Sequence, residues 1–70
     1  MKNLKSTMAG TVFTVNVVVG EEVVVGQVVF VLESMKMEIP VEAEVAGKVA
    51  TIIVGEGDFV NEGDVLLTFE

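Results

Sequence analysis

The 70-residue chain contains no cysteine and no histidine. Those two absences remove most of the devices that give a small protein extra stability or reactivity. Disulfide frameworks and the usual zinc-ligand sets are excluded, and the lack of cysteine fits a reducing compartment. Arginine and tyrosine are also missing, so four lysines stand against eleven carboxylates and the formal charge is −7. Nucleic acid and anionic membrane surfaces both call for a basic patch, so neither is an expected partner. A partner with a basic surface suits this charge better. No apolar run approaches the roughly 20 residues that span a bilayer. The opening "MKNLKSTMAG" lacks the apolar core of a signal peptide. Composition thus leads to the expectation of a soluble, cytoplasmic protein.

What is abundant is valine. Hydrophobic residues make up 51% of the chain, and a chain this short must bury them in a single core to fold. One domain over 1–70 is expected. β-branched runs broken by recurrent glycine favour strands over helices.

The chain also repeats. "AGTVFTVNVVVGEEVVVGQVVFVLE" (9–33) aligns without a gap on "AGKVATIIVGEGDFVNEGDVLLTFE" (46–70), at an offset of 37, with ten identities in 25 positions. The alanine and glycine pairs are the least attributable to valine-rich composition, because glycine marks places with special backbone demands. Each half reads as a β run (11–17; 48–54), a glycine-bounded loop with a very short extended piece (20–26; 57–63) and a second β run (27–33; 64–70). Two copies are too few for a solenoid. Packed face to face by a pseudo-twofold, they give an all-β flattened barrel or sandwich. Residues 34–45 then link the halves, and the hairpin at about 34–37 lies far from the paired chain termini.

That hairpin carries "ESMKM". A lysine between methionines is unusual, since methionine commonly fills core gaps and lysine commonly faces water. In the plain reading Lys36 is a solvated turn residue and Met35 and Met37 tuck back against the end of the core. In the functional reading the methionines stay exposed because something reads them. Lysine is also the natural amine for an amide-linked prosthetic group, and such groups let a small protein present chemistry that it cannot perform.

Elsewhere the sequence offers no catalytic set. Ser6 and Ser34 lack an activating partner. Glu21, Glu22, Glu56, Asp58, Glu62 and Asp64 fall in the glycine-bounded loops, where charge ordinarily maintains solvation. "GEGDFVNEG" (55–63) lacks the alternating ligands and closing glutamate of a calcium loop. The chain is not expected to be an enzyme by itself.

"ESMKMEIP", with the early "MAG", the glycines at 20 and 26 and "EGDFVNEGDVLL" (56–67), resembles the biotinyl/lipoyl attachment domains. More narrowly, it is similar to the short free-standing biotin/lipoyl attachment proteins of bacteria. The resemblance covers about residues 8–70. It implies a flattened barrel of two four-stranded antiparallel sheets with pseudo-twofold symmetry, a barrel-sandwich hybrid, and a monomer is expected. It also implies biotin attachment at Lys36 by a biotin protein ligase, through attack of the amine on biotinyl-AMP. Lysine amines in peptides titrate near about 10.4 and are mostly protonated at pH 7, so the ligase must supply the deprotonation. The biotin would take up carboxylate at a biotin carboxylase and deliver it at a carboxyltransferase.

The residues around Lys36 divide between two groups of the family. Met35 and Met37 match the biotinyl pattern. Glu33 and Ser34, in the hairpin, are compatible with the lipoyl pattern. Biotin is the favoured group because the immediate neighbours meet the ligase first; lipoate, for a 2-oxoacid dehydrogenase-type system, and dual acceptance are the alternatives. A third reading is an unmodified β domain used for binding. The ungapped repeat leaves no room for the protruding insertion of many acetyl-CoA carboxylase carriers, and their Ala/Pro-rich linker is absent. The chain is therefore expected to be a free-standing carrier or an excised domain. Residues 15–32 depart from strand alternation. Many outward strand positions there are expected to be valine, through compositional drift or as an apolar docking surface.

Overall fold

Short β-branched runs separated by glycine turns produce eight strands. They are β1 (Asn3–Lys5), β2 (Gly10–Val15), β3 (Glu22–Val23), β4 (Val28–Ser34), β5 (Met37–Glu42), β6 (Gly47–Ile52), β7 (Phe59–Val60) and β8 (Val65–Phe69). The computed structural model describes residues 2–70; Met1, the first residue of the expected 1–70 domain, lies outside the described residues. The strands form two four-stranded sheets, ordered β1-β8-β6-β3 and β5-β4-β2-β7, with every pairing antiparallel. The all-β two-sheet expectation holds.

The repeat in sequence is a repeat in hydrogen bonding. Adding 37 to the bounds of β2 and β3 gives those of β6 and β7. Register carries over in the same way. Val12↔Leu32 and Thr14↔Val31, with Phe13 bulged between them, correspond to Val49↔Phe69 and Thr51↔Thr68, with Ala50 bulged. Pro40↔Val31 and Val41↔Phe30 correspond to Asn3↔Thr68 and Leu4↔Leu67. The two halves are thus related by a pseudo-twofold down to the positions of their bulges. That relation exchanges the hairpin with the chain ends, which are joined by the Phe69 N–H donating to the Lys2 carbonyl at 2.8 Å.

One core lies between the sheets. Phe30, Phe69, Leu32, Leu66, Leu67, Val29 and Val49 are completely buried within it. Phe30 and Leu32 of the first half correspond to Leu67 and Phe69 of the second, so large and medium side chains trade places across the pseudo-twofold. Such exchange of large and smaller groups lets facing layers interdigitate at native density.

The loops correct two expectations. Of the surplus valines of 15–32, the fully exposed ones do not line strand faces. Val18, Val19, Val24 and Val25 are exposed because they occupy turns at Val18–Glu21 and Val24–Gln27, each closed by an N–H of the fourth residue on the carbonyl of the first. Gly20 and Gly26 hold φ of +93 and +90 there, the third-residue conformation that a type II turn requires. The second half places Gly55, Glu56, Asn61 and Glu62 at the same turn positions, and nothing in the structure explains the valines.

The loop acids are likewise more than solvating groups. The Asp58 carboxylate accepts the Gly55 N–H at 2.8 Å and the Asp64 carboxylate accepts the Asn61 N–H at 2.8 Å. Glu21 and Gln27 do the same for Val18 and Val24 at 3.2 Å. Each turn therefore closes twice, by backbone and by side chain, satisfying an amide that composition alone could not show to need a partner. Glu22, Glu56 and Glu62 have no such role and are exposed.

Candidate functional site

β4 and β5 meet in the shortest connection an antiparallel pair allows. Ser34 pairs with Met37, leaving Met35 and Lys36 as a two-residue loop with φ of 52° and 65°. Positive φ at both central residues defines a type I′ turn, whose twist matches that of the flanking strands. The residues that suit it are asparagine, aspartate and glycine. Methionine and lysine do not: an L side chain in the left-handed region costs about 1–2 kcal/mol per residue. These are the only non-glycine residues with positive φ among the described residues. The fold therefore keeps an unfavourable local sequence where a favourable one was available, and such strain gathers at functional sites.

The methionines stand out in solvent. Met35 is 91% exposed and Met37 63%, so the reading in which they tuck against the core end is corrected. A turn this tight has no chain length to fold its side chains back over the barrel end. Lys36 is exposed, and its amine makes no hydrogen bond among the described residues. Two residues behind the turn, Glu33 lies opposite Glu38, and both are exposed. Like charges facing each other across strands destabilise the pair, so this arrangement too serves something other than the hairpin's own stability. Ser34 is half-buried at the root.

The root is held by Gly10. A Cβ at that position would sit 2.9 Å from the Glu33 carbonyl oxygen and 3.6 Å from the Ser34 Cβ. Only a residue without a side chain lets β2 lie against the last residues of β4. The β run read from the sequence begins at residue 11 and so missed this support; the identity of Gly10 with Gly47 in the repeat was the available signal.

Lys36, Met35, Met37, Glu33 and Ser34 are therefore brought together at one tip, as the motif leads one to expect. Ser6 is elsewhere and structural: buried, it donates its hydroxyl to the Met8 carbonyl. Among the described residues there is no cavity and no cluster of metal-ligating side chains. The "GEGDFVNEG" segment holds the Asp58 turn and β7, with its acids engaged or dispersed. An accessible lysine on a protruding, acid-flanked hairpin can be acylated.

Comparison with known proteins agrees with this geometry. The biotin/lipoyl family, described as "Biotin-requiring enzyme", matches residues 2–69. The Biotin/lipoyl attachment protein of Bacillus subtilis is 55% identical over 60 residues, which cover 86% of this chain and 82% of that protein. The Biotin carboxyl carrier protein of Streptococcus mutans is 43% identical over 65 residues, covering 93% of this chain and 50% of that protein. Among solved structures, a single-chain, multi-domain long-chain acyl-CoA carboxylase superposes with a TM-score of 0.90 at 35% identity. The match covers 97% of this chain and 7% of that much longer one. With one family spanning nearly the whole chain and the same fold recovered in three dimensions, the chain belongs to the biotin/lipoyl attachment family.

Proposed function

We propose that the protein is a biotin carrier modified on Lys36 and that its work is presentation and delivery. The observation that carries this reading is the strained two-residue turn, which holds a free lysine between two exposed methionines at the tip of the barrel. The fit to the group is chemical: attachment needs an accessible primary amine with room around it. A biotin protein ligase would bring biotinyl-AMP to Nζ. The amide N–C bond forms there as the C–O bond to phosphate breaks and AMP departs; of the two protons the ammonium nitrogen sheds, one passes to the ligase before attack and the other leaves as the amide forms, to the ligase or the departing phosphate. Met35 and Met37 would give the ligase an apolar grip on either side of the amine, and Glu33 and Ser34 would form the root that holds the turn. When bound, biotin would carry carboxylate between a biotin carboxylase and a carboxyltransferase. The chain's own part is to bear the group on a rigid, extended support, as a cytoplasmic monomer.

The lipoyl reading is favoured by one feature, the Glu33–Ser34 pair before the turn. The methionines favour biotin because they are the residues that flank the amine, and both are exposed.

The intact mass of the protein co-expressed with biotin protein ligase in biotin-supplemented cells, beside Lys36→Ala, tests the proposal. A biotin-sized increment in the parent and none in the variant is expected. A lipoyl-sized increment under native conditions would replace biotin by lipoate. No increment while both ligases modify control domains would leave an unmodified binding domain.

A further inference from the structure

The pseudo-twofold gives every surface of this protein an internal comparison, and the outer faces of the two sheets do not match. On the β5-β4-β2-β7 sheet, strand pairing sets Phe59 beside Thr11, Thr11 beside Glu33, and Glu33 beside Glu38. This row crosses all four strands, a width of about 14 Å at ordinary strand spacing. Its buried neighbours Val60, Val12 and Leu32 fill the core, so the row itself faces out. One step further from the hairpin are Val31 and Pro40, paired with each other, and the bulged Phe13. Phe59 is 64% exposed and Phe13 48%.

On the other sheet the corresponding residues are Glu22 for Phe59, Lys48 for Thr11, Ala50 for Phe13, Thr68 for Val31 and Asn3 for Pro40. The same backbone, in the same register, is thus served by small or polar residues. Fold does not require the aromatics. Scattered exposed hydrophobics need no explanation, but two phenylalanines turned outward on the one sheet that carries the hairpin do.

We infer that this outer face, with Phe13 and Phe59 as apolar anchors and Glu33, Glu38 and Glu42 along its rim, is the docking surface for the ligase that modifies Lys36. The inference rests on the Lys36 reading. Three observations select this occupant. The face is continuous with the hairpin, since Glu33 and Glu38 flank the turn directly. An unmodified lysine has no long arm, so its amine must be held within about 3–3.5 Å of the activated carbonyl, and the enzyme must grip the surface beside it. The rim is acidic on both β4 and β5, so the complementary surface is an apolar patch bordered by lysine or arginine. A second copy of this chain fails that requirement, because it would set carboxylates against carboxylates.

The test uses the full chain, purified biotin protein ligase, ATP and biotin, with initial rates of incorporation at varied carrier concentration. Phe13→Ala/Phe59→Glu copies residues that the other half already carries at equivalent positions, so the fold has a precedent for both. KM for the carrier is expected to rise about tenfold, the order seen when central aromatic anchors are removed, with kcat little changed. Glu38→Lys, a variant independent of the aromatics, is expected to raise KM and to weaken its dependence on salt. Glu22→Ala on the opposite sheet is the control and should behave like the parent. Parental KM in both the aromatic double variant and Glu38→Lys overturns the inference. Parental KM together with a loss of coupling to a biotin carboxylase, or of self-association, also overturns it and assigns the face to that other occupant. Failure of the parent to take up biotin at all would be a failure of the Lys36 reading, seen before any variant is compared.

Discussion

At the scale of the residue, the protein is defined by two side chains in a conformation that suits neither. Met35 and Lys36 occupy the left-handed region, where asparagine and glycine would be at ease. Replacing both, Met35→Asn/Lys36→Gly, should raise the unfolding free energy by about 1–3 kcal/mol, as the strain of two non-glycine residues is relieved. Urea denaturation followed by circular dichroism measures it. The amine would be gone, so the uptake of biotin proposed for Lys36 would be lost with it. A loss of stability would mean that methionine and lysine at the tip contribute packing that their exposure does not reveal. Met35→Asn alone separates the two effects, because it leaves the amine in place.

At the scale of the element, the four glycine turns show how one device is built from different side chains. The aspartates reach their turn amides at 2.8 Å, whereas Glu21 and Gln27 reach theirs at 3.2 Å. The longer side chains must fold back on more rotatable bonds to make the same contact and lose more freedom in doing so. Asp58→Ala should therefore cost about 1 kcal/mol, the usual scale of such a cap, and more than Glu21→Ala at the equivalent turn. Thermal or urea unfolding of the pair decides it. Equal losses would show that capping distance is not what ranks these turns. The edge strand β5 illustrates a different economy: Glu38, Pro40 and Glu42 along it discourage pairing with another chain. The hairpin can thus project without offering a sheet edge for aggregation.

At the scale of the whole molecule, the two halves report on each other. Thr68 and Val31 occupy equivalent positions in register, yet Thr68 buries a hydroxyl oxygen that has no hydrogen-bond partner among the described residues. An unmet buried polar group costs about 1–3 kcal/mol, and valine has nearly the same shape. Thr68→Val should therefore stabilise the protein by about 1 kcal/mol, read from the urea midpoint at unchanged m-value. A destabilised variant would mean that the equivalence of the halves fails at side-chain resolution. The pseudo-twofold also accounts for the division of labour. One end of the repeat brings Phe69 against Lys2, and its counterpart carries the hairpin, so the tip that bears Lys36 lies at the opposite end from them.

The sequence by itself determined the strand class, the two-half plan and the residue to examine. Each of these is written in local chemistry: β-branched runs, glycines at a fixed offset and a lysine between methionines. Because the offset of 37 holds without a gap, it even carried the bounds of β2 and β3 onto β6 and β7. What only the tertiary structure decided depends on which groups meet across strands. The I′ geometry of the turn, the Glu33–Glu38 opposition, the support of Gly10 against the Glu33 carbonyl and the outward row from Phe59 to Glu38 all join residues distant in the chain or fixed by register. The surplus valines mark the boundary between the two. Composition told that they were too many for an alternating strand. That the exposed ones lie in turns was settled by where the backbone closed its hydrogen bonds.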